Sequence, residues 1–309
     1  MKKIAGIDFE IINENTLMSM DPFITVACVN EPHQAIMFGD VDVNKYENLF
    51  LEFNCISLTL KSMTKGYSVN FSNIPKSENI RRLALHLTEN CAVEPRAVVG
   101  FDNLRELALS FPKKIVLPDF GSCGKIESLI VDDSWEDAVK SINPENIKDV
   151  RLSILKASDF SCFAGFSNLV TLKLELASKL KNLYGLSKLP HLKSLWISGA
   201  KSLINIEEIL KCEKLLNIEV LGNRSIQDFS ELKYKRLDSI SMEYSSTIDW
   251  ALDIPGIKFI YCKKVGVLGD KSFWWTPGHV KPDVGETYQP TYPGLFGVTK
   301  WDDFSGAAS

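Results

Sequence analysis

The chain has 309 residues, 45% apolar and 24% charged, with a formal net charge of −4. These ordinary globular values exclude wholesale disorder, and the missing basic excess argues against a nucleic-acid partner. Seven cysteines, scattered at positions 28, 55, 91, 123, 162, 212 and 262, exclude a CxxC zinc cluster and argue against a disulfide framework, so free thiols in a reducing compartment are expected.

The elements begin with a strand over 4–12, "IAGIDFEII", and a β-hairpin in which 23–29 and 34–40 flank the turn "NEPH". The charge is concentrated here. Residues 1–60 hold nine acids and three lysines, a balance of −6 that leaves +2 for the remainder. Residues 1–52 are expected to form a β-rich, acidic N-terminal cap. The start "MKKIAGIDFEIINEN" lacks an apolar h-region, since Asp8 and Glu10 interrupt it, so no secretory signal is expected. No window approaches the roughly 20 apolar residues of a membrane span, and a cytoplasmic monomer with no membrane partner is the expectation.

From residue 80 an apolar triplet spaced 1-4-6 recurs: Ile80-Leu83-Leu85, Leu104-Leu107-Leu109, Ile126-Leu129-Val131, Ile147-Val150-Leu152, Leu169-Leu172-Leu174, Leu192-Leu195-Ile197, Leu215-Ile218-Val220, Leu237-Ile240-Met242 and Ile257-Ile260-Cys262. Phe53-Ile56-Leu58 is a candidate first member. The starts at 80, 104, 126, 147, 169, 192, 215, 237 and 257 advance by a nearly constant step. The spacing within a triplet fits neither a 3.6-residue helical period nor plain alternation. It fits a chain that enters the core at position 1 and then runs as a strand with positions 4 and 6 inward. Each repeat returns with a second apolar set, such as Leu180, Leu183, Leu186 and Leu189, or Ile226, Phe229 and Leu232. One repeat cannot bury both sets alone, so stacked neighbours supply the stability. With parallel strands about 4.8 Å apart, nine or ten repeats predict a sheet on the order of 45 Å long. The best helical stretch is "IEEILKCEKL", 206–215.

After Lys271 the composition shifts to Pro, Gly and aromatics, and Pro277, Pro282, Pro290 and Pro293 forbid a regular helix. An extended tail over 271–309 is expected. Its Phe273, Trp274, Trp275 and Tyr292 either cover the last repeat or dock on a partner.

These triplets resemble the leucine-rich repeat family, whose signature is L-x-x-L-x-L-x-x-N/C-x-L over roughly 20–29 residues. The resemblance spans about residues 53–268. "LLNIEVLGNRSIQDFSEL", 215–232, comes closest, with Asn223 in the asparagine slot. Elsewhere that slot holds other residues, such as Thr88, Pro112, Ser134 and Ala200, so an irregular solenoid is implied. The short repeat length resembles the internalin-like type. The implied fold is an α/β repeat solenoid with a parallel sheet on the concave face and mostly short 3₁₀ or loop segments on the convex side, over about 53–270. The resemblance implies binding to a protein partner.

Enzyme chemistry finds no support. "GAKS" (199–202) lacks the upstream glycine of a phosphate loop, "GVLGDKS" (266–272) has the wrong order, and no GxSxG, HExxH or EF-hand loop occurs. The four histidines lie far apart. No catalytic, metal or cofactor residues are assigned, and no cofactor is expected.

Alternation along each strand turns position 5 out of the concave sheet, with positions 3 and 7 beside it. Position 5 reads Ala84, Ala108, Ile130, Arg151, Lys173, Trp196, Glu219, Ser241 and Tyr261. Phe259 falls at position 3, and Asp132, Glu175 and Glu243 at position 7. The candidate partner-binding set is Ile130, Asp132, Arg151, Lys173, Glu175, Trp196, Glu219, Glu243, Phe259 and Tyr261. Trp196 is expected to stand exposed between Lys173 and Glu219, as an interface anchor or as a cover for its neighbours. On the anchor reading, its loss weakens binding and leaves stability nearly intact. Mixed charge around it suits a protein partner. A toxin-neutralising inhibitor of the immunity type and an exported effector are both compatible, the first favoured by the acidic cap.

Overall fold

Two apolar sets per repeat, one on a strand and one on the return, dictate the architecture of the computed structural model. It describes residues 55–62, 65–66, 68–69, 77–94, 100–112, 115–223, 225–226, 229–244, 251 and 253–261. It also describes the turn Val43–Tyr46 with positions 47 and 50, and the backbone of the remaining strands given below.

A meander comes first: β1 (Lys2–Ile4), β2 (Ile7–Asn13), β3 (Thr16–Ser19), β4 (Thr25–Val29) and β5 (Gln34–Phe38), each antiparallel to the next. The single strand expected over 4–12 is therefore two strands, with Ile4 opposite Ile7. The coils follow with β6 (Ser57–Lys61), β7 (Ser68–Val69), β8 (Arg82–His86), β9 (Ala92–Val93), β10 (Glu106–Ser110), β11 (Ser128–Val131), β12 (Asp149–Ile154), β13 (Thr171–Leu176), β14 (Ser194–Ser198), β15 (Asn217–Leu221), β16 (Ser239–Tyr244) and β17 (Phe259–Lys264). Except for the small β7–β9 pair, they join β5 in one parallel sheet, and β18 (Lys271–Trp275) closes its far edge antiparallel to β17.

The register matches the triplets from residue 80 onward. Leu107 pairs with Leu83 and Leu129, Leu172 with Val150 and Leu195, and Ile240 with Ile218 and Ile260. The candidate first triplet is corrected. Leu58 aligns with Leu83 and Leu60 with Leu85, so the first coil reads Cys55-Leu58-Leu60, not Phe53-Ile56-Leu58. Ile56, Leu58 and Leu60 share one strand parity, so spacing alone permits a slip of two. Position 4, from Leu58 to Ile260, is at most 3% exposed throughout. The returning sets Leu180, Leu183, Leu186 and Leu189, and Ile226, Phe229 and Leu232, are buried as well.

The returns are tight. Among the described residues seven carry 3₁₀ turns: Ser77–Asn79, Phe120–Ser122, Pro144–Asn146, Ser161–Phe163, Leu186–Lys188, Glu207–Lys211 and Ser230–Tyr234. The expected helical stretch at 206–215 is instead a 3₁₀ turn over Glu207–Lys211, which ends because the Leu215 N–H turns back to the Cys212 carbonyl and the Leu216 N–H is bonded to Lys193 of the preceding coil. The α-helix Trp135–Lys140 lies one coil earlier than the Phe-rich return, and its Trp135 packs on Phe163 and Phe166 with ring centroids 5.2 and 5.3 Å away. Six returns share one device on their way round. The side chain of Asp119, Asn143, Asp159, Asn182, Asn205 or Asn223 accepts the backbone N–H two residues on, an Asx turn that bends the returning chain. Gly199 and Gly222 occupy the left-handed region where β14 and β15 end; a Cβ on Gly222 would lie 2.9 Å from the Gly199 nitrogen.

This is a leucine-rich-repeat solenoid, with its parallel sheet on the concave face and short returns on the convex side.

Candidate functional site

Stacked coils bring position 5 of successive strands side by side: Ile130, Arg151, Lys173, Trp196, Glu219, Ser241 and Tyr261 lie opposite one another from β11 to β17. The register alone makes neighbours of side chains a whole repeat apart in sequence.

Five of the ten candidates form one connected cluster across β12 to β15. Glu175 Oε1 accepts from Arg151 Nε at 2.7 Å, and Lys173 Nζ lies 3.7 Å from the same oxygen. The Lys173 ammonium also sits 4.4 Å from the centre of the Trp196 ring, a cation–π contact. On its other side the Trp196 indole N–H donates to Glu219 Oε1.

Trp196 is therefore half-buried, not standing free, and Glu219 is only 8% exposed. The reason is geometric. A ring far wider than the strand spacing of about 4.8 Å lies down across its neighbour's carboxylate. Burial pushes the Glu219 carboxyl above its ordinary value, opposed by the Trp196 hydrogen bond and by the Lys173 charge. Removing the indole strands a buried carboxylate, so the expectation that Trp196→Ala leaves stability nearly intact is corrected. Ala84 and Ala108, also at position 5, are buried at 0% and 6% exposure.

Of the other candidates, Asp132 accepts from Ser153 Oγ at 2.9 Å and raises the neighbouring His86, whose burial, assisted by Lys61, nonetheless holds it below the ordinary imidazole value. Ile130 stands beside Arg151. Glu243, Phe259 and Tyr261 lie on the last two parallel strands, apart from the cluster, and the backbone register sets Trp274 of β18 opposite Tyr261. The tail aromatics' side chains and residues 276–309 lie outside the described residues.

Two polar ladders escaped the sequence reading. On the concave face Asn217 Nδ2 donates to Ser194 Oγ at 3.1 Å, and Ser239 Oγ donates to Asn217 Oδ1 at 2.8 Å. Just before the strands, Asn103, Asn146 and Asn168 each donate to a backbone carbonyl of the preceding coil, of Glu78, Gly124 and Glu145. The asparagine pattern one residue before position 1 was the available signal. Asn223, in the family's usual slot, donates to the carbonyls of Ala200 and Leu203 and accepts from the N–H groups of Ser225 and Ile226.

Burial makes Cys123, Cys162 and Cys212 poor nucleophiles by raising their thiols above the ordinary value. Cys55, Cys91, Cys123, Cys162 and Cys212 form no disulfide, and burial pushes Cys162 and Cys212 up to about 11. Among the described residues there is no His/Cys/Asp/Glu group able to hold a metal ion, and no helix long and apolar enough to cross a membrane.

No family model matches the chain, and no curated protein matches it either. Among solved structures it is similar to a leucine-rich-repeat protein of Leptospira interrogans, with 17% identity, a TM-score of 0.47, and coverage of 76% of this chain and 68% of that one. The fold assignment rests on the strand register above.

Proposed function

We propose that this is a non-catalytic binding protein that grips a protein partner through the concave face. The observation that carries the reading is the cluster in which Lys173 and Glu219 clamp Trp196 beside the Arg151–Glu175 pair. Tryptophan and arginine are enriched among binding hot spots, and side chains already held in place lose less freedom when a partner docks. Mixed charge on one face favours a polypeptide of matching pattern over a uniform polyanion. Ile130, Asp132, Glu243, Phe259 and Tyr261 extend the footprint along the sheet.

Within this reading the protein is a cytoplasmic, monomeric inhibitor of the immunity type. It would be organised as an acidic cap over 1–52, a binding solenoid over 53–270 and a tail over 271–309. The charge of residues 1–60, −6 against −4 for the whole chain, suits the capture of a basic toxin or enzyme.

The test is differential capture with the full chain. Proteins retained by the wild type and by Ile204→Ser, which changes a 70% exposed side chain off the concave face, should be lost by both Trp196→Ala and Ile130→Asp. A hot-spot loss of about 2 kcal/mol weakens binding by about 30-fold. The captured protein should lose its own activity when mixed with an equimolar amount of this chain. Retention by both concave-face variants, with their folds intact by circular dichroism, overturns the concave-face reading. Capture without inhibition overturns the inhibitor role.

A further inference from the structure

The residue at position 2 of each coil sits immediately before its strand, outside the core and off the concave face. Backbone hydrogen bonds tie these positions into a column: the N–H of Glu127 donates to the carbonyl of Arg105, Lys148 to Glu127, Val170 to Lys148 and Lys193 to Val170. The column therefore advances one strand spacing per coil, and over the five coils from Arg105 to Lys193 cations stand at every second one, Arg105, Lys148 and Lys193, with Glu127 and Val170 between them. Beside them, one residue before position 1, stand Lys125, His191 and Lys214. Together these side chains line a groove of about 570 Å³ along the strand-start edge of the sheet.

The groove is basic in an acidic protein. Its lining contains five lysines and arginines against Glu127 and Glu145, a balance of +3, while the chain as a whole carries −4. Glu127 partly neutralises two cations, lying 2.8 Å from Lys148 and 3.7 Å from Arg105. Among the described residues Lys125 Nζ donates to the neutral Asn103, at 2.7 Å, and Lys214 Nζ to His191 Nδ1, at 3.0 Å, and neither forms an ion pair. Lys193 makes no ion pair among the described residues. Each of these lysines is exposed, so an anion can reach them without rearrangement.

The geometry points to a docking groove for an acidic polypeptide segment with a carboxylate at every third residue. Two strand spacings of about 4.8 Å put the position-2 cations about 9.6 Å apart. A polyproline II chain repeats every three residues at about 3.1 Å each, returning a side chain to the same face every 9.3 Å or so. The two periods match to within a few tenths of an ångström. From Arg105 to Lys214 the groove crosses five strand intervals, on the order of 24 Å, long enough for about eight residues in that conformation. Nucleic acid fits less well. The lining offers no Phe, Tyr or Trp on which a base could stack, and the negative remainder of the chain repels a long polyanion. This groove is a second surface, independent of the concave face.

The probe is a fluorescein-labelled nine-residue peptide with Glu at positions 1, 4 and 7 and Pro or Ala elsewhere, titrated into the full chain at low ionic strength and read by fluorescence anisotropy. Binding should weaken as salt is added. A peptide of equal charge with its Glu residues adjacent should bind at least fivefold more weakly. Lys193→Glu combined with Lys125→Glu should reduce affinity at least tenfold with the circular dichroism spectrum unchanged. Glu127→Gln, which releases Arg105 and Lys148, should tighten binding two- to threefold. A nine-nucleotide oligothymidylate and phosphatidylserine vesicles should bind more weakly than the peptide. Equal affinity for the two peptides removes the periodic match, and an unchanged affinity in the double variant removes the groove. Preference for the oligonucleotide or the vesicles replaces the polypeptide with that ligand. None of these readouts involves Trp196, so failure here and failure of the concave-face reading are distinguishable.

Discussion

The concave cluster and the strand-start groove are built from the same stacking of coils, yet they treat charge in opposite ways. Across β12 to β15 every charged candidate has found a partner: Arg151 with Glu175, Lys173 with Glu175 and the Trp196 ring, and Glu219 with the indole N–H. Along the edge, Lys125, Lys193 and Lys214 are exposed and form no ion pair among the described residues. A satisfied network holds a shape and favours a partner that matches it. An unsatisfied row attracts counter-charge and tolerates variation in what brings it. The same chain thus offers one surface suited to specificity and another suited to electrostatic capture.

The deepest way to break that comparison is to remove what both surfaces share. Leu195, the fully buried inward residue of β14 beside Trp196, follows the edge residue Lys193 by two positions. Leu195→Ala should cost roughly 2–5 kcal/mol, the range for a core truncation of this kind, and thermal or denaturant unfolding reads it directly. A melting temperature equal to wild type contradicts the register of β14. The next largest effect separates the surfaces. Trp196→Ala leaves the buried Glu219 carboxylate without its donor and should cost about 1–3 kcal/mol. Lys193→Glu, three residues away but exposed, should stay within about 0.5 kcal/mol of wild type. Equal stability losses from the two variants would erase the distinction between a satisfied face and an open edge.

Most of the architecture was legible in the sequence because it is periodic. Nine triplets set the strands, their pairing and the inward faces, since in a solenoid each coil repeats the same physical problem. The first coil was misread because Ile56, Leu58 and Leu60 alternate on one parity, and only pairing with β8 chooses between the two frames. The Trp135 helix was missed because six residues are too few for a periodic signal. At the concave face the positions were legible and the contacts were not. Alternation brings Trp196 to that face, but its burial depends on a carboxylate one coil away that accepts its N–H. The edge groove escaped for a related reason: its cations occur singly in sequence, and only the column of backbone hydrogen bonds lines them up.

The smallest effect tests whether the cluster is as closed as its contacts imply. Burial raises the Glu219 carboxyl above its ordinary value, and the Lys173 charge and Trp196 donor do not fully offset it. The folded state then binds more protons than the unfolded state over the window that starts at the ordinary glutamate value and runs upward to the raised one. Stability from this group is full below that window and is lost as pH rises through it. Glutamine keeps an oxygen to accept the indole N–H and cannot ionise, so Glu219→Gln lacks this dependence. The stability of Glu219→Gln minus that of wild type should therefore grow with pH across the weakly acidic range and level off above it. Paired urea titrations at several pH values measure the difference, and titrations elsewhere in the chain cancel. A gap that shrinks with rising pH would show that Lys173 holds the carboxylate charged, making the concave face an open ion-pair surface, closer in character to the edge than its burial implies.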